Sequence, residues 1–174
     1  MKILDTSAII CTFTEINEPE IVLKWKDRGH ALTIPNVVYK ELCANANTIS
    51  KVKPYTEDGR ISITTTTNEE DIKKFKVRHL NLGNGEISVI LTSISLNKKG
   101  KKYYAVIDDK QARKVAKQYN VNLTGTFGLL MALKSKGLID IKYYNMVREK
   151  FKNSGFRINV EELEEKYGSE SQIR

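Results

Sequence analysis

The 174-residue sequence has no long apolar run and contains only two cysteines. No window approaches the roughly 18 uninterrupted apolar residues of a membrane-spanning helix, so we expect no membrane segment. Asp5 interrupts the first residues before the apolar region of a signal peptide could form, and we therefore do not expect export. Cys11 and Cys43 show neither metal-ligand spacing nor a disulfide framework, which indicates a reducing, cytoplasmic setting.

Familiar catalytic patterns are also missing. The segment 83–85 lacks the Lys and the Ser or Thr of a phosphate-binding loop, and no apolar strand precedes it. The two histidines, His30 and His79, lie far from any nucleophile motif. There is no internal repeat and no low-complexity linker. With 40% hydrophobic and 29% charged residues, the chain has the composition and length of one globular domain.

Positive charge is in excess. Lysine and arginine number 29 against 21 aspartates and glutamates, which gives a net charge of +8 and a pI near 9.4. A basic surface attracts polyanions, so RNA, DNA and an anionic membrane are candidate partners. A lysine-rich surface that only keeps the protein soluble explains the charge equally well.

Apolar stretches alternate with amphipathic ones along most of the chain. The clearest amphipathic segment has Ile87, Ile90, Leu91 and Ile94 at the spacing of one helical face. The predicted strands are 2–4, 31–34, 61–64, 103–107 and 121–123. The predicted helices are 18–28, 36–42, 85–96, 110–119 and 125–136. Such alternation favours an α/β fold whose parallel sheet is covered on both faces.

The chain beyond residue 140 has a different pattern. A mixed helix over 142–152 precedes a turn, and 159–162 resembles the capping box of a further helix. Val160, Leu163 and Tyr167 would give that helix a small apolar face, which must pack on something. We expect a main domain over 1–140, a helical appendage packed on it over 141–168, and a disordered tail over 169–174.

Acidic residues fall where the predicted strands end. Asp5 follows the first strand, and Asp108 and Asp109 follow the fourth. Glu41 lies on the helix after the second strand, and Glu86 lies in the first turn of the central helix. Ligand sites of open α/β sheets form outside the carboxyl ends of the strands, so these acids can converge on one edge. Converging carboxylates need a cation, and their hard oxygens suit Mg²⁺ or Mn²⁺.

Most of these acids, taken singly, also have a structural interpretation. The helix dipole favours an acid such as Glu86 in a first helical turn. One of Asp108 and Asp109 is expected to cap the helix that follows. Asp5 has no such duty at the end of an apolar strand. The joint placement of the acids is therefore what favours a metal site.

Five segments, taken in order, resemble the PIN-domain nucleases, and within them a branch of solo archaeal and bacterial proteins similar to VapC-like ribonucleases. The matching segments are 3–8, 34–42, 82–86, 106–113 and 123–130, the last leading to 134–139. The resemblance implies a three-layer α/β/α fold with a central parallel sheet of about five strands. It also implies cleavage of single-stranded RNA at an acidic site that holds one or two Mg²⁺ or Mn²⁺ ions.

The resemblance carries residue roles over to this chain. Asp5, Glu41 and Glu86 match the first three acids of the family, although many members have Asp at the third position. The remaining matches are the fourth acid, at Asp109 or Asp108, and two hydroxyl positions that line the site, at Thr6 and Thr126.

We therefore expect a metal-dependent endoribonuclease. Asp5 and Glu86, together with an oxygen from Asp108 or Asp109, would hold the metal. Glu41 would hold a metal-bound water or polarise the nucleophile. Basic side chains would hold the RNA backbone: Lys110, Arg113 and Lys114, with Lys98, Lys99, Lys101 and Lys102 as further candidates. The alternative is a non-catalytic PIN-fold module that binds RNA or a protein.

Two protein partners are expected as well. Relatives in this family commonly pair, so we expect a homodimer. It would form through the C-terminal helix, unless that helix packs on its own domain, or through the early helices around Trp25. A toxin with a co-expressed antitoxin is a subclass of the ribonuclease hypothesis, and the antitoxin would then be the second partner.

Overall fold

Five short strands form one all-parallel sheet at the centre of the molecule. The computed structural model describes residues 1–156 and 159–170, with side chains to residue 165. The strands are β1 (Lys2–Leu4), β2 (Leu32–Pro35), β3 (Ile61–Thr64), β4 (Tyr104–Val106) and β5 (Leu123–Thr124). Their order in the sheet is β3-β2-β1-β4-β5. The predicted parallel sheet of about five strands is confirmed, and its last strand begins two residues later than expected.

β1 occupies the middle of the sheet. It pairs with β2, where Lys2 lies opposite Leu32, and with β4, where Leu4 lies opposite Val106. Ile3 and Leu4 are completely buried because helices cover both faces of the strand. Truncating such a side chain, as in Leu4→Ala, costs about 2–5 kcal/mol of stability.

Ten α-helices surround the sheet within residues 1–156 and 159–170. They are α1 (Thr6–Ile10), α2 (Glu20–Asp27), α3 (Asn36–Cys43), α4 (Ala46–Glu57), α5 (Glu69–Arg78), α6 (Asn84–Lys98), α7 (Lys110–Gln118), α8 (Thr126–Ser135), α9 (Ile141–Asn153) and α10 (Val160–Glu170). A π-helical turn, Cys11–Glu15, continues α1 directly. In this part of the chain no helix combines the length and apolar character that crossing a bilayer requires.

The central helix α6 organises one side of the molecule. It packs on β1, β2 and β4, and α3, α5 and α7 lie beside it. Helix α2 packs on β2 and against α8. The fold is therefore a three-layer α/β/α arrangement, as the sequence pattern and the resemblance both indicated.

Three helices, α1, α4 and α5, were not expected from the periodicity. Helices α4 and α5 have only two buried side chains each, so their apolar pattern is faint, and Pro54 lies inside α4. Both begin with an asparagine cap: Asn45 accepts a hydrogen bond from the N–H of Thr48, and Asn68 accepts one from Asp71. These caps are the sequence signal that could have revealed the two helices.

The C-terminal helices pack on the rest of the chain. Both α9 and α10 contact α8. Val160 is buried, and the partly buried Leu163 packs against the core. These two residues of the expected apolar face therefore cover the chain's own surface, while the side chain of Tyr167 lies outside the described residues.

Helix α10 is fixed at its start and along its length. The Asn159 side chain accepts a hydrogen bond of 3.1 Å from the N–H of Glu162, in line with the predicted cap. Glu164 accepts two hydrogen bonds from Arg148 on α9, at 2.7 and 2.8 Å. The helix continues to Glu170, and 171–174, the remainder of the expected tail, lie outside the described residues.

Candidate active site at the carboxyl edge of the sheet

The two central strands place acids side by side. Asp5 follows β1 directly, and its backbone N–H donates a 3.2 Å hydrogen bond to the carbonyl of Val106, at the end of β4. Asp108 and Asp109 come two and three residues after Val106. Because β1 and β4 are parallel neighbours, all three acids lie at the same edge of the sheet, as predicted.

Asp5 is a buried carboxyl group with half of its hydrogen-bonding capacity unused. The residue is 2% exposed. Its Oδ2 accepts a 2.8 Å hydrogen bond from the Ser7 hydroxyl, whereas Oδ1 has no partner among the described residues. Burial raises the pKa of Asp5 to about 7, and the charges of Glu86 and Glu41 add to the effect. The Ser7 hydroxyl and the Thr6 backbone oppose this rise but do not offset it.

Glu41 joins three helices at the site. From α3, its Oε1 accepts a 2.8 Å hydrogen bond from the N–H of Gly85 on α6. Its Oε2 accepts a short hydrogen bond from the Thr6 hydroxyl on α1. A Cβ at position 85 would overlap Glu41 Oε2 and would lie 2.9 Å from Thr6 Oγ1. Any larger residue would have to displace the Glu41 carboxylate, because the start of α6 lies directly against these two side chains.

Glu86 caps the start of α6 and also lies within electrostatic reach of the other acids. Its Oε2 accepts a 2.7 Å hydrogen bond from the N–H of Gly83 and so helps to cap α6. The half-buried carboxyl group has a raised pKa, mainly because of burial, and the charges of Asp109 and Glu41 contribute. The residue is therefore a helix cap that also belongs electrostatically to the acidic group.

The structure separates the two neighbouring aspartates. Asp108 accepts hydrogen bonds from the backbone N–H and the hydroxyl of Thr126, at 2.8 and 2.5 Å, and so ties β4 to α8. Asp109 is exposed and is the predicted cap, since its Oδ1 accepts a 2.7 Å hydrogen bond from the N–H of Ala112. Of these two aspartates, only Asp109 is among the charges that raise the pKa of Glu86.

The pKa of Asp108 is also raised, for a different reason. Burial of the carboxyl group is the main cause, and the two hydrogen bonds from Thr126 and the charge of Arg113 act in the opposite direction. A Cβ at position 125 would lie 2.8 Å from Asp108 Oδ1. The close approach of Gly125 thus keeps the start of α8 within reach of this aspartate.

The acids meet the chemical requirement for Mg²⁺ or Mn²⁺. Their carboxylate oxygens are the ligands that these ions prefer. The unpartnered Oδ1 of Asp5 is a buried acceptor. A bound cation would stabilise the charged carboxylate against the burial and repulsion that raise its pKa. As the side chains stand, no three His, Cys, Asp or Glu residues of the described ranges are grouped closely enough to hold a metal ion. Glu86 and Asp109 each use an oxygen for helix capping.

The basic residues expected around the site lie in two different settings. Lys110 and Lys114 are exposed on α7, which begins directly after Asp109. Arg113 is half-buried and donates a 2.7 Å hydrogen bond to the carbonyl of Ile107, so its guanidinium group is already held by the protein.

The further lysine candidates lie away from the acids. Lys98 ends α6, whereas Glu86 lies in its first turn, so about 18 Å of helix separates the two residues. Lys99 follows at the same end. Lys101 and Lys102 precede β4 and therefore lie at the amino edge of the sheet, opposite the acids. The expectation that these four lysines surround the acids is wrong, because they lie at the opposite edge of the sheet.

A cleft next to Glu41 was missed in the sequence. It has a volume of about 550 Å³ and lies between α3 and α5, with Asn84 at the start of α6 on its wall. Three lysines line it: Lys40, Lys73 and Lys76. Two of them, Lys73 and Lys76, lie three residues apart on α5, a helical spacing that could have pointed to this surface if α5 had been predicted.

A family model described as a PIN domain matches residues 1–168, which include α9 and the part of α10 up to Gly168. No curated protein and no solved structure matches the chain.

Proposed function

Since the chain belongs to the PIN-domain family, whose members are generally nucleases, we propose that it is a Mg²⁺- or Mn²⁺-dependent endoribonuclease that cleaves single-stranded RNA. The observation that carries the proposal is the setting of Asp5. Its buried carboxyl group has an unpartnered oxygen and lies within the electrostatic reach of Glu41 and Glu86. Acids from separate segments thus meet at the carboxyl edge of the sheet.

In this proposal the metal draws together three carboxylates that are not grouped closely enough to hold it as they stand: those of Asp5, Glu86 and Asp109. Asp109 is preferred to Asp108 because its charge acts on Glu86, whereas Asp108 uses both oxygens to bind Thr126. When bound, one or two such ions supply an activated water and stabilise the negative charge that develops on the phosphate. No side chain of the protein has to attack the phosphorus atom.

Glu41 and Asp108 are positioning residues in the proposed site. Glu41 holds α1, α3 and α6 together through Thr6 and Gly85, which fixes the backbone next to Asp5. Asp108 holds α8 against β4 through Thr126. Both residues are thereby committed to the protein's own hydrogen bonds and keep the proposed ligands at the same edge.

Lys110 and Lys114 are the proposed contacts to the RNA backbone near the acids. Both are exposed on α7, and Lys110 is its first residue, directly after Asp109. The net charge of +8 favours a polyanionic substrate. The anchored Arg113 contributes positive charge to this surface while it holds the loop after β4 through Ile107.

The proposal extends to partners and setting. We place the enzyme in the cytoplasm as a homodimer and, if it is a toxin, in complex with an antitoxin. Val77 and Leu80 are each 75% exposed, and a protein partner would cover such apolar side chains. Trp25 is buried in the monomer, so a dimer through the early helices would use their exposed side chains and not Trp25 itself. Light scattering that gives only the 19.8 kDa monomer mass at rising concentration excludes the homodimer.

A cleavage assay with an add-back of metal tests the proposed activity. A single-stranded RNA and a duplex of the same sequence are incubated with the protein in chelator, and Mg²⁺, Mn²⁺ or Ca²⁺ is then added in excess. We expect cleavage of the single strand with Mg²⁺ or Mn²⁺, little with Ca²⁺ and none in chelator. Tight RNA binding without cleavage under every condition supports the non-catalytic binding module instead.

A further inference from the structure

The cleft between α3 and α5 is continuous with the acidic edge. Glu41 lines the cleft and is also one of the acids at this edge, where it accepts hydrogen bonds from Thr6 and Gly85. Asn84, one residue before Gly85, lies on the same wall and accepts a 3.4 Å hydrogen bond from Lys76. A chain that lies in this cleft therefore leads directly to the acids.

The lining of the cleft combines positive charge with an apolar surface. Lys40, Lys73 and Lys76 contribute three positive charges, against the carboxylates of Glu41 and Glu69. Val37 and Ile72 provide apolar walls. The volume of about 550 Å³ lies within the range of roughly 300–1,000 Å³ that is typical of small-ligand sites. This combination suits a flat ring that packs by its two faces and is linked to a phosphate.

Two polar side chains that line the cleft have unused hydrogen-bonding atoms. Thr67 is 8% exposed, and its hydroxyl has no partner among the described residues. The same holds for the Oδ1 of Asn36, which is also closed to solvent. Buried polar groups are usually paired in native proteins. An occupant with its own donors and acceptors would supply the missing partners after a small rotation of these side chains.

We propose that this cleft is a nucleotide subsite, which holds an unpaired RNA base next to the bond that is cut. The base packs between Val37 and Ile72, its polar edge binds Asn36 and Thr67, and the adjoining phosphates face Lys40, Lys73 and Lys76. The inference rests on the proposed function, because the subsite leads to the acids through Glu41. Base edges in a duplex are already paired, so the subsite selects single strands, and its polar pair sets the base preference.

Binding in the absence of cleavage is the first test. Fluorescence anisotropy in excess chelator measures the affinity of the full-length protein for four short single-stranded RNAs that differ in one central base. We expect Lys73→Gln/Lys76→Gln to weaken binding of all four RNAs about tenfold or more. The slope of log affinity against log salt concentration should fall by nearly the amount that corresponds to two phosphate contacts. The matched control, Lys98→Gln/Lys99→Gln, removes the same charge at the far end of α6 and should change affinity less than threefold.

The polar pair has its own test. Thr67→Val keeps the shape of the side chain and removes a buried hydroxyl that has no protein partner, so thermal stability should not fall. The rank order of the four RNAs should nevertheless change, and Asn36→Ser should change it as well. A purely structural role for these residues predicts an unchanged order. Asn36→Ser alone decides the point if the Thr67 variant does not fold.

Mapping of the cut sites in a mixed RNA pool with Mg²⁺ or Mn²⁺ separates this inference from the proposed function. If the cleft variants keep both the wild-type affinity and the wild-type cut sites, the subsite is overturned and the ribonuclease stands. If the wild-type protein never cuts but the cleft variants lose base-selective binding, the subsite stands and the ribonuclease falls. We expect cleavage by the wild type and a shifted set of cut sites for Thr67→Val and Asn36→Ser.

Discussion

Glu41 on α3 accepts a hydrogen bond of 2.8 Å from the backbone N–H of Gly85, a residue 44 positions later in the chain. This contact brings the start of α6 against α3 and places Glu86 beside the acids at the strand ends. The absence of a side chain at position 85 is what permits the contact, because any Cβ there would overlap the Glu41 carboxylate.

We predict that Gly85→Ala displaces Glu41 and destabilises the protein by about 1–3 kcal/mol, the usual cost of overpacking a close contact. The thermal midpoint should fall by several degrees, since each kcal/mol corresponds to about 2–4 °C at this chain length. The neighbouring Gly83→Ala is the matched control. Its added Cβ would meet Glu86 at an ordinary 3.6 Å, so its melting temperature should stay close to that of the wild type. Equal losses in the two variants would show that the contact with Glu41 is unimportant.

Asp5→Asn should stabilise the metal-free protein at neutral pH. Burial raises the pKa of Asp5 from 3.8 to about 7, so the folded chain keeps a proton that the unfolded chain releases. The wild type therefore loses stability as the pH rises from about 4 to about 7, by up to roughly 4 kcal/mol from this residue. Asparagine has no proton to lose. Urea unfolding at pH 4.5 and pH 8 should show the advantage of the variant growing with pH, and a constant difference would contradict this.

Replacement of the two adjacent aspartates by asparagine should have opposite consequences. Asp109→Asn keeps a good helix cap, so stability should change little, but the charge that faces Glu86 is lost and cleavage should fall. Asp108→Asn places an amide group against two donors of Thr126, so it should cost about 1–3 kcal/mol. Thermal unfolding and cleavage rates, measured on the same preparations, separate the two residues. A stable but inactive Asp108 variant would make Asp108 the metal ligand in place of Asp109.

Acid should loosen the attachment of α10. The hydrogen bonds from Arg148 lower the pKa of Glu164 from 4.5 to about 2. The folded chain thus keeps this carboxylate charged, and its contribution to stability, present above about pH 4.5, is lost as the pH falls toward 2. At pH 7, Glu164→Gln should cost about 1–3 kcal/mol in urea unfolding, and the cost should shrink toward pH 2. The exposed neighbour Glu165→Gln should have no comparable effect at either pH.

Much of the fold could be predicted because its signals are local. Parallel strands such as β4 are continuous apolar runs, and α6 has a clear apolar face, so the alternation of strands and helices was visible in the sequence. Asp5 and Asp109 could be placed at one edge because strand direction alone puts them there. The convergence of these acids on one edge of the sheet was therefore predictable.

The remaining features depend on tertiary contacts that periodicity does not encode. Helix α5 buries only Ile72 and Phe75 of its ten residues, so the cleft that it forms with α3 was not expected. Arg113 has the sequence context of an RNA-binding residue, yet its guanidinium group binds the Ile107 carbonyl. Asp108 and Asp109 differ in their hydrogen-bond partners because Asp108 binds Thr126, a residue 18 positions later in the chain.

The central claim is that the acidic group around Asp5 cleaves RNA with a divalent cation. Its most direct test is the rate at which the wild type, Asp5→Asn and the exposed control Asp27→Asn cut one single-stranded RNA in saturating Mn²⁺. All three are purified identically, so a contaminating nuclease would act in every sample. We predict cleavage by the wild type and by Asp27→Asn at similar rates, and a rate at least about a hundredfold lower for the folded Asp5→Asn. A rate for Asp5→Asn that equals the wild-type rate, or no cleavage by the wild type, would contradict the claim.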